Sequence, residues 1–323
     1  MSIRETLKNW LPSNVRRRIR TVRQTTARLF QRTMELCGFV VARTSDYYSP
    51  LPSRRKLART MARWTRPSSM QGLEIDMSEM KSTITHLIHK WSGEFCALVP
   101  YGESVKLGFG PGYTRVDAMV LYAMIREKKP AHYLEVGSGL STYYASAAAQ
   151  RNAEEGHPMR ITCIEPYPFP ALATIPGISV RCNEVQEENL GLFTGLGEDD
   201  LLFIDSSHIV RLDGDVPFLL LEVLPILRPG VHIQIHDIPF PYHGPYPPKL
   251  WIYDSCWPVW WNESMLLHAL LCGNRQFAIK LSAPLIRHHD EPFLAELIPG
   301  YENMEKEPNT FSSIWLQKVG PGY

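Results

Sequence analysis

Apolar residues recur along this chain in two rhythms. Between residues 13 and 37, Val15, Ile19, Val22, Leu29, Phe30 and Leu36 come near helical spacing with arginines filling much of the remainder, which predicts a basic amphipathic helix. Ser13 or Asn14 is placed to cap its start. Residues 44–70 read as a linker punctuated by Pro and Ser, with a short basic helix inside it. Helices are predicted over about 76–92 and in "VDAMVLYAMIREKKP", which Pro130 ends; the glycine-rich "VPYGESVKLGFGPGYTR" lies between them. From residue 132 short apolar runs alternate with helical stretches. Strands at 132–136, 160–165, 178–182, 201–205 and 231–237 alternate with helices at 141–151 and 215–227 and a helical turn at 169–174. This alternation predicts an α/β domain whose parallel sheet is covered on both faces. After a Pro- and Trp-rich loop (238–261) come a helix over 262–273 and strands 277–281 and 312–318. That last pair lacks the usual helical crossover and reads as an antiparallel edge hairpin. The chain thus divides into a basic helical and linker extension (1–70), a lead-in with the glycine-rich loop (71–112), and the α/β domain (113–323).

Composition changes the picture at the N-terminus. The chain has 323 residues, 44% hydrophobic and 21% charged, an ordinary globular balance with enough apolar material for a large core. Its net charge of +1 hides an asymmetry. Residues 1–70 carry 14 Arg and 2 Lys against three acids, net +13, and the rest carries 18 basic against 30 acidic side chains, net −12. Two readings of the basic residues 1–40 stand side by side: a helix on an anionic membrane surface or partner, or one packed on its own protein with a solvated charged face. Nucleic acid is disfavoured, since aromatic interleaving is missing. Six cysteines without a CxxC pair argue against a disulfide framework or zinc knuckle and suit a reducing cytoplasm. No apolar run approaches a spanning length; an Arg-rich, acid-poor start also fits a transit peptide. Nothing in the pattern specifies an oligomeric state.

The candidate chemistry gathers at strand ends. In "YLEVGSGLST", Gly137, Ser138 and Gly139 join the first strand to a helix, where glycines permit a tight turn and close ligand approach. Glu135 precedes this loop, and Glu165 ends the second strand, where a carboxylate can accept both hydroxyls of a ribose. A dinucleotide fold prefers GxGxxG with pyrophosphate on the helix N-terminus, whereas Leu140, Ser141 and Thr142 follow here. Glu135 would repel pyrophosphate and welcome a cationic amino group, which favours S-adenosylmethionine over NAD. The plain alternative is turn glycines and surface acids. Asp205 and His208 in "LLFIDSSH", with His236 and Asp237 in "VHIQIHD", end the next two strands. Each has a structural alternative: a turn cap and a solvated loop histidine, or a packed polar face of His232, Gln234 and His236. Asp213 and Asp215 read as caps of the helix at 215–227. The aromatics of 238–261 form either an acceptor lid or a satellite hydrophobic cluster.

"YLEVGSGLST", "ITCIEPYP", "LLFIDSSH" and "LPILRPGVHIQIHDI" together resemble the successive motifs of class I S-adenosylmethionine-dependent methyltransferases, and more narrowly a bacterial group associated with glycan and natural-product biosynthesis. The resemblance covers about 110–282, with "SSIWLQK" fitting the last strand. It implies a Rossmann-like, seven-stranded, mostly parallel sheet with an antiparallel last strand, here carrying an N-terminal helical extension. It also implies a cytoplasmic enzyme that O-methylates a saccharide or glycan-linked small molecule. On the family pattern Glu135, Gly137, Ser138 and Gly139 line the methionine end of S-adenosylmethionine, Glu165 takes the ribose, Glu184–Gln186 border the adenine, and Asp205 faces the transferable methyl. The acceptor hydroxyl then needs a base, for which His208 is the candidate with His236 and Asp237 beside it, or a divalent metal on Asp205 and Asp237. Ile238 stands where catechol-type relatives have an Asn ligand. Two alternatives remain from the sequence: a cofactor-binding scaffold without turnover, and a hydroxylase-like relative.

Overall fold

The computed structural model describes residues 12–43, 47–49, 51–301 and 311–320. The chain forms two compact units, Met1–Thr60 and Met61–Tyr323, so the first ends before residue 70. In the first unit, helix α1 (Ser13–Leu36) runs six turns as its apolar spacing predicts. Ile19, Val22, Leu29 and Phe30 are exposed along one face, and a period of 3.6 residues places Arg17, Arg20, Arg28 and Arg32 on the opposite side. Pro12 precedes the helix, and no side chain caps it. Among the described residues no helix is long and apolar enough to cross a membrane.

The second unit is built on a seven-stranded sheet: β1 (His132–Val136), β2 (Arg160–Ile164), β3 (Ile178–Arg181), β4 (Leu201–Ile204), β5 (His232–Ile235), β6 (Phe277–Ser282) and β7 (Ile314–Lys318), in the order β3-β2-β1-β4-β5-β7-β6. The first five strands pair in parallel; β7 runs antiparallel between β5 and β6. This is the Rossmann-like sheet the resemblance implies. Its last two strands do pair antiparallel, but β7 is internal and a helix separates it from β6. Residues 133–136, 201–204 and 232–235 are buried throughout, as strands covered on both faces require.

Five longer helices of this unit, among the described residues, frame the sheet: α2 (Met77–Cys96), α3 (Arg115–Lys128), α4 (Leu140–Glu154), α5 (Glu263–Leu271) and, after β6, α6 (Ala283–Leu297). Asp76 caps α2 through Glu79 N, and Thr114 caps α3 through Asp117 N. Helix α2 buries Met80, Ile84, Leu87 and Ile88 at helical spacing against α3, which in turn packs on α4. Arg126 is buried in this layer because its fork is filled by Glu94, Glu155 and Asn152, with Trp91 beneath it. The predicted helix at 215–227 contains a wide turn over Phe218–Val223. Helix α6 was not anticipated: Pro292 lies inside it and Asp290 leaves helical geometry, which erases the helical signature.

Candidate active site

The backbone ladder of the sheet continues one residue past four strands. Gly137 N bonds Ile164 O (3.0 Å), Glu165 N bonds Arg181 O (2.9 Å), Asp205 N bonds Val136 O (2.8 Å) and His236 N bonds Ile204 O (2.9 Å). Sheet register, rather than loop conformation, therefore fixes the four sites predicted at the carboxyl edge, where open α/β sheets take ligands. Gly137 holds φ +82°, and a Cβ there would lie 2.3 Å from Asp205 O. A Cβ on Gly139 would lie 2.7 Å from Phe109 O, so the 105–113 loop closes directly over the glycine turn.

The cofactor side of the edge is a cradle with open valences. Glu165 is half-buried; its oxygens accept Ser138 N (3.2 Å) and Tyr167 N (2.8 Å), which leaves lone pairs free on both. Ser138 Oγ is buried without a hydrogen-bond partner. These features fit a ribose and an amino-acid moiety. Glu135 departs from the expected lining role. It is fully buried beneath the loop and accepts hydrogen bonds from Ser141 Oγ, Thr142 Oγ1 and Cys163 Sγ. Burial raises its pKa to about 7, against the opposing pull of those donors. Gln186 bonds Glu184 and Asp213 O.

The chemical side is an alternating chain of carboxylates and imidazoles. His208 Nδ1 meets Glu263 Oε2 at 2.8 Å, and its Nε2 lies 3.2 Å from Asp205 and 3.4 Å from Asp237. His236 Nδ1 lies 3.4 Å from Asp205 and 3.7 Å from Asp237, and Nε2 lies 3.5 Å from Asp117. His236 is buried, and both its nitrogens lie outside hydrogen-bonding geometry; it is held by charge and by a tilted ring contact with Tyr113 (5.0 Å). Burial lowers the pKa of His208, but Asp205, Glu263 and Asp237 outweigh it and raise it to about 10. His236 is likewise pushed well up by Asp237, Asp205 and Asp117 against its burial. Burial would raise Asp205, yet the two imidazoles pull it below the carboxylate range. The site thus sets two imidazoles, both pushed toward their charged form, among four acids.

Backbone strain marks the same place. His208 (φ +60°) and Asp237 (φ +54°) are both left-handed, which costs about 1–2 kcal/mol each and persists only where surroundings enforce it. His208 N bonds Ser206 Oγ, and His208 O accepts Asn262 N and Glu263 N at the start of α5. Asp215, expected to cap its own helix, accepts Val216 N of that helix (2.9 Å) and also Ser207 N and Oγ (both 2.6 Å), while the N-cap position itself is Gly214, without a side-chain cap. Ser312, just before β7, donates to Asp237 Oδ1 (2.8 Å). Donor atoms of Asp205, His208 and Asp237 all lie within 4.8 Å of one another, which adds His208 to the two expected metal ligands. Such a carboxylate and imidazole set suits manganese, iron or zinc better than an all-oxygen shell.

Asp117, Glu263 and Tyr113 were not anticipated; each comes from an element distant in sequence. Gln234 donates to Tyr113 Oη and Ser313 Oγ, so the polar face of β5 is a packed network as well as a site wall. In the loop 238–261, Tyr242 stacks on Tyr246 (3.8 Å), Trp251 packs tilted against Trp261 (5.0 Å), and Trp261 stands edge-on to His208 (4.9 Å). His288 and His289 are exposed.

Residues 134–238 match the family profile described as a methyltransferase domain. No characterised protein sequence matches the chain. Among solved structures, the chain is similar to the O-methyltransferase TomG of Streptomyces achromogenes, involved in tomaymycin synthesis and solved with S-adenosylmethionine (13% identity, 77% of this chain and 92% of that one, TM-score 0.40). It is also similar to an O-methyltransferase of Bacillus cereus with S-adenosylhomocysteine (15%, 75% and 100%, TM-score 0.41). A third is the Podospora anserina methyltransferase PaMTH1 with S-adenosylhomocysteine (15%, 84% and 99%, TM-score 0.37). Likenesses this distant carry no argument about chemistry. The matched segment, about a third of the chain, holds the glycine loop, Glu165, Asp205 and His236–Asp237, so the residues of this sheet edge are the part of the chain that is similar to a methyltransferase domain.

Proposed function

We propose that the protein transfers a methyl group from S-adenosylmethionine to a hydroxyl oxygen of a small acceptor, a saccharide or a glycan-linked molecule. The observation that carries this reading is one sheet edge bearing both a ribose-and-amino-acid cradle and a carboxylate–imidazole cluster. Glu165 would hold the ribose hydroxyls, and the Gly137–Gly139 turn with Ser138 Oγ would hold the amino-acid end. Bound there, the cofactor supplies an electrophilic sulfonium methyl. The cluster then has to lower the charge barrier at the acceptor oxygen. His208 Nδ1 is committed to Glu263, so Nε2 faces the cleft between Asp205 and Asp237. Nε2 lies 3.2 Å from Asp205 and 3.4 Å from Asp237, and donor atoms of all three residues lie within 4.8 Å of one another. This convergence supports the second sequence-based option: Asp205, His208 and Asp237 would hold a divalent cation, His208 giving up its Nε2 proton as the cation binds, and the cation would acidify a hydroxyl beside it.

Titration calorimetry with S-adenosylmethionine tests the cofactor reading, and release of S-adenosylhomocysteine with an acceptor panel tests turnover. Absence of binding at millimolar cofactor would sink the enzyme reading and leave a scaffold. Turnover that ignores EDTA and added manganese would return His208 to the role of base. We further propose that the enzyme works in the cytoplasm at an anionic membrane surface, with the exposed apolar face of α1 on the lipid and its arginines at the headgroups.

A further inference from the structure

Arg287, on the first turns of α6 beyond the carboxyl edge of β6, is placed unlike the other deeply set arginine. Arg126 has its fork filled by two carboxylates and an amide. Arg287 lies with Cζ 4.2 Å from the Phe311 ring centroid, and its one hydrogen bond among the described residues is a long 3.4 Å contact from Nη1 to Phe311 O. It makes no ion pair with a described carboxylate. Burial pulls its pKa down, and Tyr301, Glu291 and Asp117 oppose this only in part, yet a guanidinium keeps its charge. Most of a planar five-donor fork is thus left without an acceptor in a half-enclosed place, where such donors are costly to leave unmet.

The surroundings say what would fill it. Phe311 leads directly into Ser312, whose Oγ holds Asp237 and whose N bonds Asp117, so Arg287 borders the carboxylate–imidazole cluster. Arg287 also interacts electrostatically with Tyr242 and Tyr246, a stacked pair with His288 edge-on to Tyr242. The guanidinium thus has an aromatic pair and an acid-rich cluster as its neighbours. We propose that Arg287 binds an anionic oxygen group, a carboxylate or a phosphate, carried by the acceptor away from the hydroxyl that is methylated. A fork-to-fork contact fixes direction as well as charge, so it would hold one end of the acceptor while the hydroxyl faces Asp205, His208 and Asp237. Calling the ligand an acceptor rests on the methyltransferase reading; the anion site does not.

The test is calorimetric titration of the full chain, with inorganic phosphate and separately with acetate, for wild type, R287Q and R287K. Arginines of α1 give the same background in all three. The expected result is binding of at least one probe that weakens tenfold or more in R287Q and is partly kept in R287K, with S-adenosylmethionine affinity equal throughout. The probe held more tightly by wild type distinguishes phosphate from carboxylate. Equal anion affinities in wild type and R287Q overturn the proposal, as does a wild type that binds neither probe. Wild type that binds the anion but not S-adenosylmethionine overturns the methyltransferase reading alone. R287K, which keeps charge and bulk, decides the matter should R287Q fail to fold.

Discussion

Two buried acids on this chain do opposite work, and each is testable at the level of a single residue. Glu135 ionises near 7 in the folded protein, raised from an ordinary 4.5. Between those values the native state keeps a proton that the unfolded chain has already released. Its contribution is therefore full below about pH 4.5 and is lost as pH rises to about 7, a change of about 3 kcal/mol. E135Q abolishes that slope. Denaturant unfolding without ligand at pH 5 and pH 8 should show the variant gaining about 3 kcal/mol on wild type between the two; parallel profiles would reject the buried, protonated carboxyl. Glu263 acts through His208 instead, receiving its Nδ1 at 2.8 Å and Ser206 Oγ at 2.9 Å. H208A should lose turnover with cofactor affinity within a few-fold, and E263Q should lose a smaller part. The H208A/E263Q double variant should be no slower than H208A, since residues acting as one unit are not additive. A further loss in the double variant would mean that Glu263 acts by another route.

At the scale of elements, the glycine turn bears most on the site. G137A forces a left-handed φ on a residue with a Cβ and drives that atom into Asp205 O. The backbone term alone costs about 1–2 kcal/mol, and the clash displaces Asp205 from both imidazoles. A lowered melting temperature with cofactor affinity reduced at least tenfold is the expected outcome; normal affinity would show that the turn relaxes away from β4. The elements most legible in the sequence are those whose burial is local. Strands β1 to β5 are short runs rich in apolar residues, with β4 apolar throughout and β5 alternating with His232 and Gln234, and their ends fall within two residues of expectation, with Gly137, Glu165, Asp205 and His236 following four of them. The place of β7 between β5 and β6 was not legible, since pairing order depends on which strand edge is left uncovered. Helix α6 was hidden by Pro292 and the kink at Asp290. Asp117 and Glu263 look in sequence like ordinary first-turn acids of helices. Only the folding of α3 and α5 against β5 and the 206–210 loop turns them toward histidines about 120 and 55 residues away, and no short-range pattern carries that.

The whole molecule joins an acidic body to a basic arm, and the boundary between compact units lies at Thr60. Each unit has its own internal contacts, and the sheet, the cradle and the carboxylate–imidazole cluster all belong to the second. Deleting residues 1–60 should therefore leave the second unit folded. A loss of 1 kcal/mol would appear as about 2–4 °C in a domain of this size, so the expected shift in melting temperature is smaller, with S-adenosylmethionine affinity unchanged. What the truncation should remove is adsorption to lipid. Each arginine near an anionic bilayer contributes about 1 kcal/mol, an attraction that fades within a screening length of about 10 Å at 0.1 M salt. The exposed Val22, Leu29 and Phe30 add apolar burial that salt does not screen. Full-length protein should sediment with vesicles containing phosphatidylglycerol, weakly with phosphatidylcholine alone, and part of the binding should survive high salt. The truncated protein should stay in the supernatant. Sedimentation that persists without residues 1–60 would move the membrane contact to the acidic body, and a full chain indifferent to lipid charge would leave α1 as a docking helix for a protein partner.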